Sequence, residues 1–193
     1  GGTVVSVLLA LVAAKNGYRV ACIADKKSNS FIDSKSCPHG VTLFDYSSPV
    51  DKSEFDFVFM DVPSRTFSRP DDFEFIVRLF ERSDFLLIPS GVDSLRSGLA
   101  LNSCGEFLDK IKCPLPWAFV LFSGDVHVAG FSDLCSMWGG KFLDASIIGF
   151  NSLFSRDVYG RFDISCREIE CMAARVLDEV ILRVEDELCE VGG

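Results

Sequence analysis

The stretch Phe55-Asp56-Phe57-Val58-Phe59-Met60-Asp61-Val62-Pro63-Ser64 narrows what this chain can fold into more than any other. It is a short run of Phe, Val and Met that ends in one carboxylate and a turn residue. A continuous apolar run of this length, with no polar alternation, predicts a strand covered on both faces, as in a parallel sheet. Asp61 then stands at the C-terminal end of that strand, the edge at which open α/β sheets bind ligands. The plainer reading of the same residue is a cap for the turn that begins at Pro63.

Strand and helix signals alternate along the rest of the chain. The apolar run from Val4 to Ala14 leads into Lys15-Asn16-Gly17, a helix end with glycine at the cap, and so predicts a buried helix. Tyr18 to Ala24 predicts a strand, with Asp25 just past it. Lys26 to Gly40 is polar and predicts a loop with at most a helical turn. Val41 to Tyr46 predicts a shorter strand. Helical spacing of Phe73, Ile76, Val77 and Phe80 predicts a helix from Asp71 to Arg82, with Asp71 and Asp72 placed to cap it. Further strands are expected at Phe85 to Pro89, Trp117 to Phe122 and Phe142 to Ile148. Further helices are expected at Asp93 to Ile111, near Phe131 to Trp138, and from Ser165 to Leu188. This alternation implies an α/β fold: a doubly wound, mostly parallel sheet with helices on both faces. At 193 residues, with no internal repeat or linker, a single domain over 1–193 is expected.

Composition removes several classes. The 19 basic and 28 acidic residues leave a formal charge of −9, a poor basis for gripping nucleic acid through its phosphates. A hydrophobic share of 48%, with 18 Phe, argues against disorder. The 8 cysteines include no CxxC and no zinc-ligand spacing, and Cys37-Pro38-His39 reads as a polar loop. Reduced thiols in a cytoplasmic protein are expected. Val4 to Ala14 has no basic leader and is too short to span a bilayer, so no membrane association is expected. The polar face of the last helix carries Glu and Asp beside its Arg, where a membrane-surface helix would carry Lys and Arg.

Four stretches, in order and together covering nearly the whole chain, resemble the ParA/MinD family of P-loop ATPases, which carry a deviant Walker A motif. TVVSVLLALVAAKNGYRVACIAD resembles the helix after the phosphate loop and the G-x-R-V start of the next strand. FDFVFMDVPS is similar to the family's YDFVIIDTPP, and SDFLLIPSGVDSL to its aDlvliPv strand and loop. IIGFNSLFSRDVYGRFDIS, followed by a long helix, resembles the family's terminal segment. The resemblance implies a P-loop NTPase-like fold that binds ATP and Mg²⁺, dimerises face to face around two nucleotides and comes apart on hydrolysis. It also implies a role in plasmid or chromosome partition, with a ParB-like partner that stimulates hydrolysis.

Residue by residue, the resemblance puts Asp61 at the Walker B carboxylate, which holds Mg²⁺, and Thr3 at the phosphate-loop hydroxyl that ligates it. Asp25 falls at or beside the carboxylate that orients the attacking water, in a register fixed to within one residue. Gly1, Gly2 and Thr3 fall on the phosphate loop, and Pro89, in Pro89-Ser90-Gly91, on a loop near the nucleotide. Ser123 stands where the family has an Asn that touches the base, although a solvated loop explains it as well, as it does Asp125 and His127. The chain departs from the family at the loop lysines: Gly2 occupies the position of the phosphate-binding Lys, and the signature Lys would precede residue 1. Either the sequence lacks its true N-terminus and some loop residues, or this is a degenerate member that has lost both lysines. A sheet without its central strand would leave two neighbours unpaired, which favours the first account. ATP hydrolysis is expected only if those lysines exist upstream. The alternative is a non-hydrolysing ParA-like module that binds proteins or regulates, for instance an accessory factor in DNA transfer. Arg156, Arg161, Arg167 and Arg175 could form a non-specific DNA surface. Their interleaving with Asp157, Asp163, Glu168 and Glu170 fits a salt-paired, solvated face better.

Overall fold

The computed structural model describes residues 2–24, 37–62, 73–90, 104–123, 136–148, 154–156 and 161–191. In chain order the elements are α1 (Gly2–Lys15), β1 (Val20–Ala24), β2 (Val41–Asp45), β3 (Phe57–Met60), α2 (Phe73–Phe80), β4 (Leu86–Ser90), α3 (described over residues 104–110), β5 (Trp117–Ser123), β6 (Phe142–Ile148), β7 (Phe154–Arg156), β8 (Phe162–Ile164) and α4 (Arg167–Val191). The chain divides into two compact units, Gly1–Ser64 with Ser152–Ala174, and Arg65–Asn151 with Arg175–Gly193. The fold is α/β with parallel three-stranded sheets. The expected strands are present, but among the described residues they do not alternate strictly with helices and are divided over two such sheets and a small hairpin.

In the first unit the sheet order is β2-β1-β3, all parallel. Helix α1 is apolar on every side, and Val7 through Ala13 are all buried, as expected of a core helix rather than a surface one. It ends as its sequence predicts. Gly17 takes φ +88°, its N–H donates to the Ala14 carbonyl at 3.0 Å, and the Tyr18 N–H donates to the Ala13 carbonyl at 3.2 Å. That pair of bonds is a Schellman motif, which satisfies the last carbonyls of the helix and turns the chain into β1. Because α1 runs back along β1, its N-terminus lies at the C-terminal edge of the sheet.

Arg19 fixes the other edge. Its carbonyl accepts from the N–H groups of Asp56 and Phe57 at 2.9 and 3.2 Å, and its own N–H donates to Asp56 Oδ2 at 2.8 Å. The guanidinium adds bonds to both carboxylate oxygens at 3.2 and 2.7 Å. The starts of β1 and β3 are therefore locked in register by one backbone–side-chain knot. Lys15, at the end of α1, pairs with Asp163 of β8 at 2.9 Å and with Glu170 of α4 at 3.4 Å.

Two expectations are corrected in this unit. Strand β3 was expected to be buried on both faces, yet its four residues are all half-buried, and it is β1 whose five residues are fully buried. The cause is sheet order: β1 is flanked by strands on both sides, whereas β3 is the last strand of its sheet among the described residues. The antiparallel β7–β8 hairpin was not anticipated.

In the second unit the sheet order is β4-β5-β6, again parallel. Central β5 is covered on both faces: Phe119 on one side and Ala118 and Val120 on the other have no exposed surface. Phe80 of α2, Leu108 of α3, and Trp117 and Phe119 of β5 form one core cluster, with Trp138 and Phe142 packed against it. Helix α3 also ends in a Schellman motif, with Cys113 N–H on the Leu108 carbonyl and Lys112 N–H on that of Asp109. Here the left-handed position is held by Lys112 at φ +50°, where a Cβ is costly. Lys112→Gly should raise stability by about 1 kcal/mol, read as a shifted urea midpoint at unchanged m. An unchanged midpoint would mean that the lysine side chain gives back what its backbone costs. The expected helix from Asp93 to Ile111 falls partly outside the described residues, as do Asp71 and Asp72 and most of the expected helix 131–138.

β6 carries an irregularity that α4 resolves. Phe119 pairs with Phe142 and Leu121 with Ser146, so two steps along β5 match four along β6. The N–H groups of Asp144 and Ala145, inside this bulge, donate to the two carboxylate oxygens of Glu179 at 3.0 and 2.9 Å. One turn along α4, Arg183 donates to the carbonyls of Gly140 and Phe142 at 3.1 and 2.8 Å and pairs with Glu179 at 3.0 Å.

Candidate functional site

Asp61 lies one residue past β3, at the C-terminal edge of the first sheet, and is only 7% exposed. Elements from three directions hold it. Its N–H donates to the Ile23 carbonyl at 2.9 Å, extending the β1–β3 ladder by one step. Its carbonyl accepts from the hydroxyl of Tyr46, which follows β2. The side chain of Thr3, in the first turn of α1, is near enough to its carboxylate to favour the ionised form. Thr3 and Asp61, paired in the sequence reading as ligands of one metal, are thus brought together.

Burial pushes the Asp61 carboxyl above the usual carboxylate range, and the Thr3 side chain offsets this only in part. The same burial raises the thiol of neighbouring Cys22 to about 12, with the Asp61 charge adding to it. Cys37, half-buried, is also pushed up by burial and donates to the Val41 carbonyl at 3.3 Å. These thiols are therefore protonated at neutral pH and serve as packing groups. Among the described residues Cys22, Cys37, Cys104, Cys113, Cys166, Cys171 and Cys189 are free thiols.

The donor set fits Mg²⁺. A carboxylate and a hydroxyl are hard oxygen ligands, and a buried carboxylate beside the positive end of a helix dipole gains from a cation that keeps it ionised. Among the described residues no group of three or more His, Cys, Asp or Glu could hold a metal ion.

Of the other candidates, Gly2 opens α1. Gly1, Asp25, Asp125, His127 and Gly91 lie outside the described residues. Pro89 and Ser123 belong to the second unit, near the C-terminal ends of neighbouring strands β4 and β5, where Pro89 pairs with Val120 and Ser90 with Leu121. Ser90 is 3% exposed, and its hydroxyl has no hydrogen-bond partner among the described residues. An orphaned buried hydroxyl is a net cost, so Ser90→Ala should be neutral or stabilise by up to about 1 kcal/mol in a thermal melt. A clear loss of stability would show that the hydroxyl has a partner. The sequence reading missed Tyr46, whose only signal was a Tyr at the end of a predicted strand. No described helix is long and apolar enough to cross a membrane. Searches against protein-family models and against curated proteins found no match to this chain.

Proposed function

We propose that this chain is a ParA-like nucleotide-binding protein that takes Mg-ATP at the C-terminal edge of the β2-β1-β3 sheet. In this reading two copies associate on nucleotide, a ParB-like partner stimulates hydrolysis, and the process served is plasmid or chromosome partition. The observation that supports it best is the buried Asp61 at the end of β3, with Thr3 of the first turn of α1 beside its carboxylate. A hydroxyl and a buried carboxylate thus share the sheet edge where open α/β folds hold ligands. Mg²⁺, when bound, supplies charge neutralisation of the phosphates. Thr3 and Asp61 would hold it, and the first N–H groups of α1 face the same edge and suit a phosphate. Asp25, one residue past β1, would orient the attacking water.

A second reading is a non-hydrolysing ParA-like module that binds proteins or regulates. It is favoured by Gly2 at the position of the family's phosphate-binding lysine and by the net charge of −9. Calorimetric titration with ATP, with and without Mg²⁺, tests both. Micromolar binding that requires Mg²⁺ and weakens in Asp61→Ala is the expected result, and absence of binding would sink the first reading and leave the second as a protein-binding module. Phosphate release from the bound complex then separates the first from the second.

A further inference from the structure

We infer that Tyr46 is a positioning residue for Asp61: its hydroxyl fixes the peptide that carries the proposed metal-holding carboxylate. This rests on the reading of the Thr3–Asp61 pair as a Mg-ATP site. The geometry behind it is unusual for a tyrosine next to a strand. In the order β2-β1-β3, Ala24 pairs with Asp45 and Ile23 with Met60. Tyr46 and Asp61 therefore leave their strands at nearly the same level but on opposite sides of β1, about 9–10 Å apart across two strand spacings. The Tyr46 hydroxyl nevertheless donates to the Asp61 carbonyl. Its ring must cross the end of β1, where the last residue is Ala24, buried and with a single methyl for a side chain.

Such a span needs a long, rigid side chain with a donor at its tip, and tyrosine alone among the aromatic residues offers a hydroxyl there. The effect on Asp61 follows from covalent geometry. With its N–H held by Ile23 and its carbonyl held by Tyr46, both peptide planes flanking Asp61 are set. The Cα–Cβ direction is then set too, and the carboxylate meets the Thr3 hydroxyl without a conformational search. Without the Tyr46 bond, the Asp61 carbonyl loses a partner just where the chain leaves the ladder, and the carboxylate can swing away from Thr3. Groups that orient a metal-holding residue in this way typically change metal affinity about tenfold or more.

The test is Tyr46→Phe, which keeps the ring and removes only the hydroxyl, with ATP affinity measured by calorimetry in the presence and absence of Mg²⁺. The expected result is a roughly tenfold loss in the Mg²⁺-dependent gain in affinity, with metal-free ATP affinity unchanged. In an Asp61→Asn background, Tyr46→Phe should change neither affinity further, because its effect passes through Asp61. Mn²⁺ in place of Mg²⁺, followed by electron paramagnetic resonance, should show the same loss as free Mn²⁺ returning to solution. An equal loss with and without metal, or a loss that persists in the Asp61→Asn background, would overturn the proposal in favour of a general packing role. So would a Phe variant that keeps the full gain while the unaltered protein shows it. An unaltered protein with no Mg²⁺-dependent gain would instead overturn the Mg-ATP reading itself, and the role of Tyr46 with it.

Discussion

Asp61→Asn is expected to remove the Mg²⁺-dependent part of ATP binding, a loss on the order of a hundredfold, while raising the melting temperature of the ligand-free protein. The two effects have one cause. The Asp61 carboxyl is buried, and its burial pushes its pKa above the ordinary 3.8. A group raised in this way contributes stability that is fully present below pH 3.8 and is lost as the pH rises through the higher, folded-state value. In the folded protein, ionising this carboxyl works against its desolvation, which the Thr3 side chain offsets in part. Asn keeps an oxygen for Thr3 to donate to and carries no charge. The expected gain is about 1 kcal/mol, or a rise of about 2–4 °C for a chain of this size. Comparison of the two proteins by scanning calorimetry across pH isolates the effect, because the other carboxylates cancel. The advantage of Asn should shrink towards zero below pH 3.8, where the carboxyl is protonated in both states. An Asn variant that melts lower at pH 7 would contradict the buried-charge account, and one that keeps full Mg²⁺ dependence would remove Asp61 from the proposed site.

The largest stability loss is expected at the other sheet. Phe119→Ala should cost about 3–5 kcal/mol. Phe119 has no exposed surface and stands edge-on to Trp117 and Trp138, with ring centroids 5.3 and 6.0 Å apart, and tilted against Phe142 at 5.1 Å. Its removal forfeits the burial, leaves a cavity, and breaks several aromatic contacts, each worth about 0.5–1.5 kcal/mol beyond area. The rings around the gap are large and held from several elements, so they cannot easily close it. Trp117 and Trp138 are the chain's 2 tryptophans, which makes their fluorescence a local probe during urea unfolding. Phe119→Leu should lose much less. A loss below about 1 kcal/mol for the Ala variant would mean that the cluster collapses into the vacated space.

What could be read from the sequence was whatever local chemistry decides. Gly17 marked the end of α1 because only glycine takes φ +88° without strain, and short apolar runs bounded by turn residues marked the strands. Thr3 and Asp61 were paired on paper by a resemblance, and the fold brings them together. Sheet order was less legible. The run containing β3 looks the same whether strands lie on one side of it or both, so its half-buried state could not be seen in Phe57 to Met60 themselves. The β7–β8 hairpin has three residues to a strand, too few for alternation to register. Long-range polar contacts were invisible. Glu179 and Arg183 have the spacing of any solvated helix pair, and nothing nearby in sequence shows that their partners are the backbone of β6. Tyr46 likewise looked like the end of a strand, because its partner is set by the crossing of β1.

The capture of the β6 backbone by α4 also bears on how this protein can misassemble. Phe119 N–H takes the Lys141 carbonyl at 2.7 Å, so by parallel alternation the carbonyls of Gly140 and Phe142 point away from β5, and these are the two that Arg183 occupies. With the Asp144 N–H held by Glu179, three of the outward groups in this stretch are already spoken for. A cross-β fibre needs every layer to be extendable in both directions. Over this first half of β6 a foreign strand would have to displace those side chains before it could pair. Stacking through this part of the sheet is therefore opposed for as long as α4 stays docked.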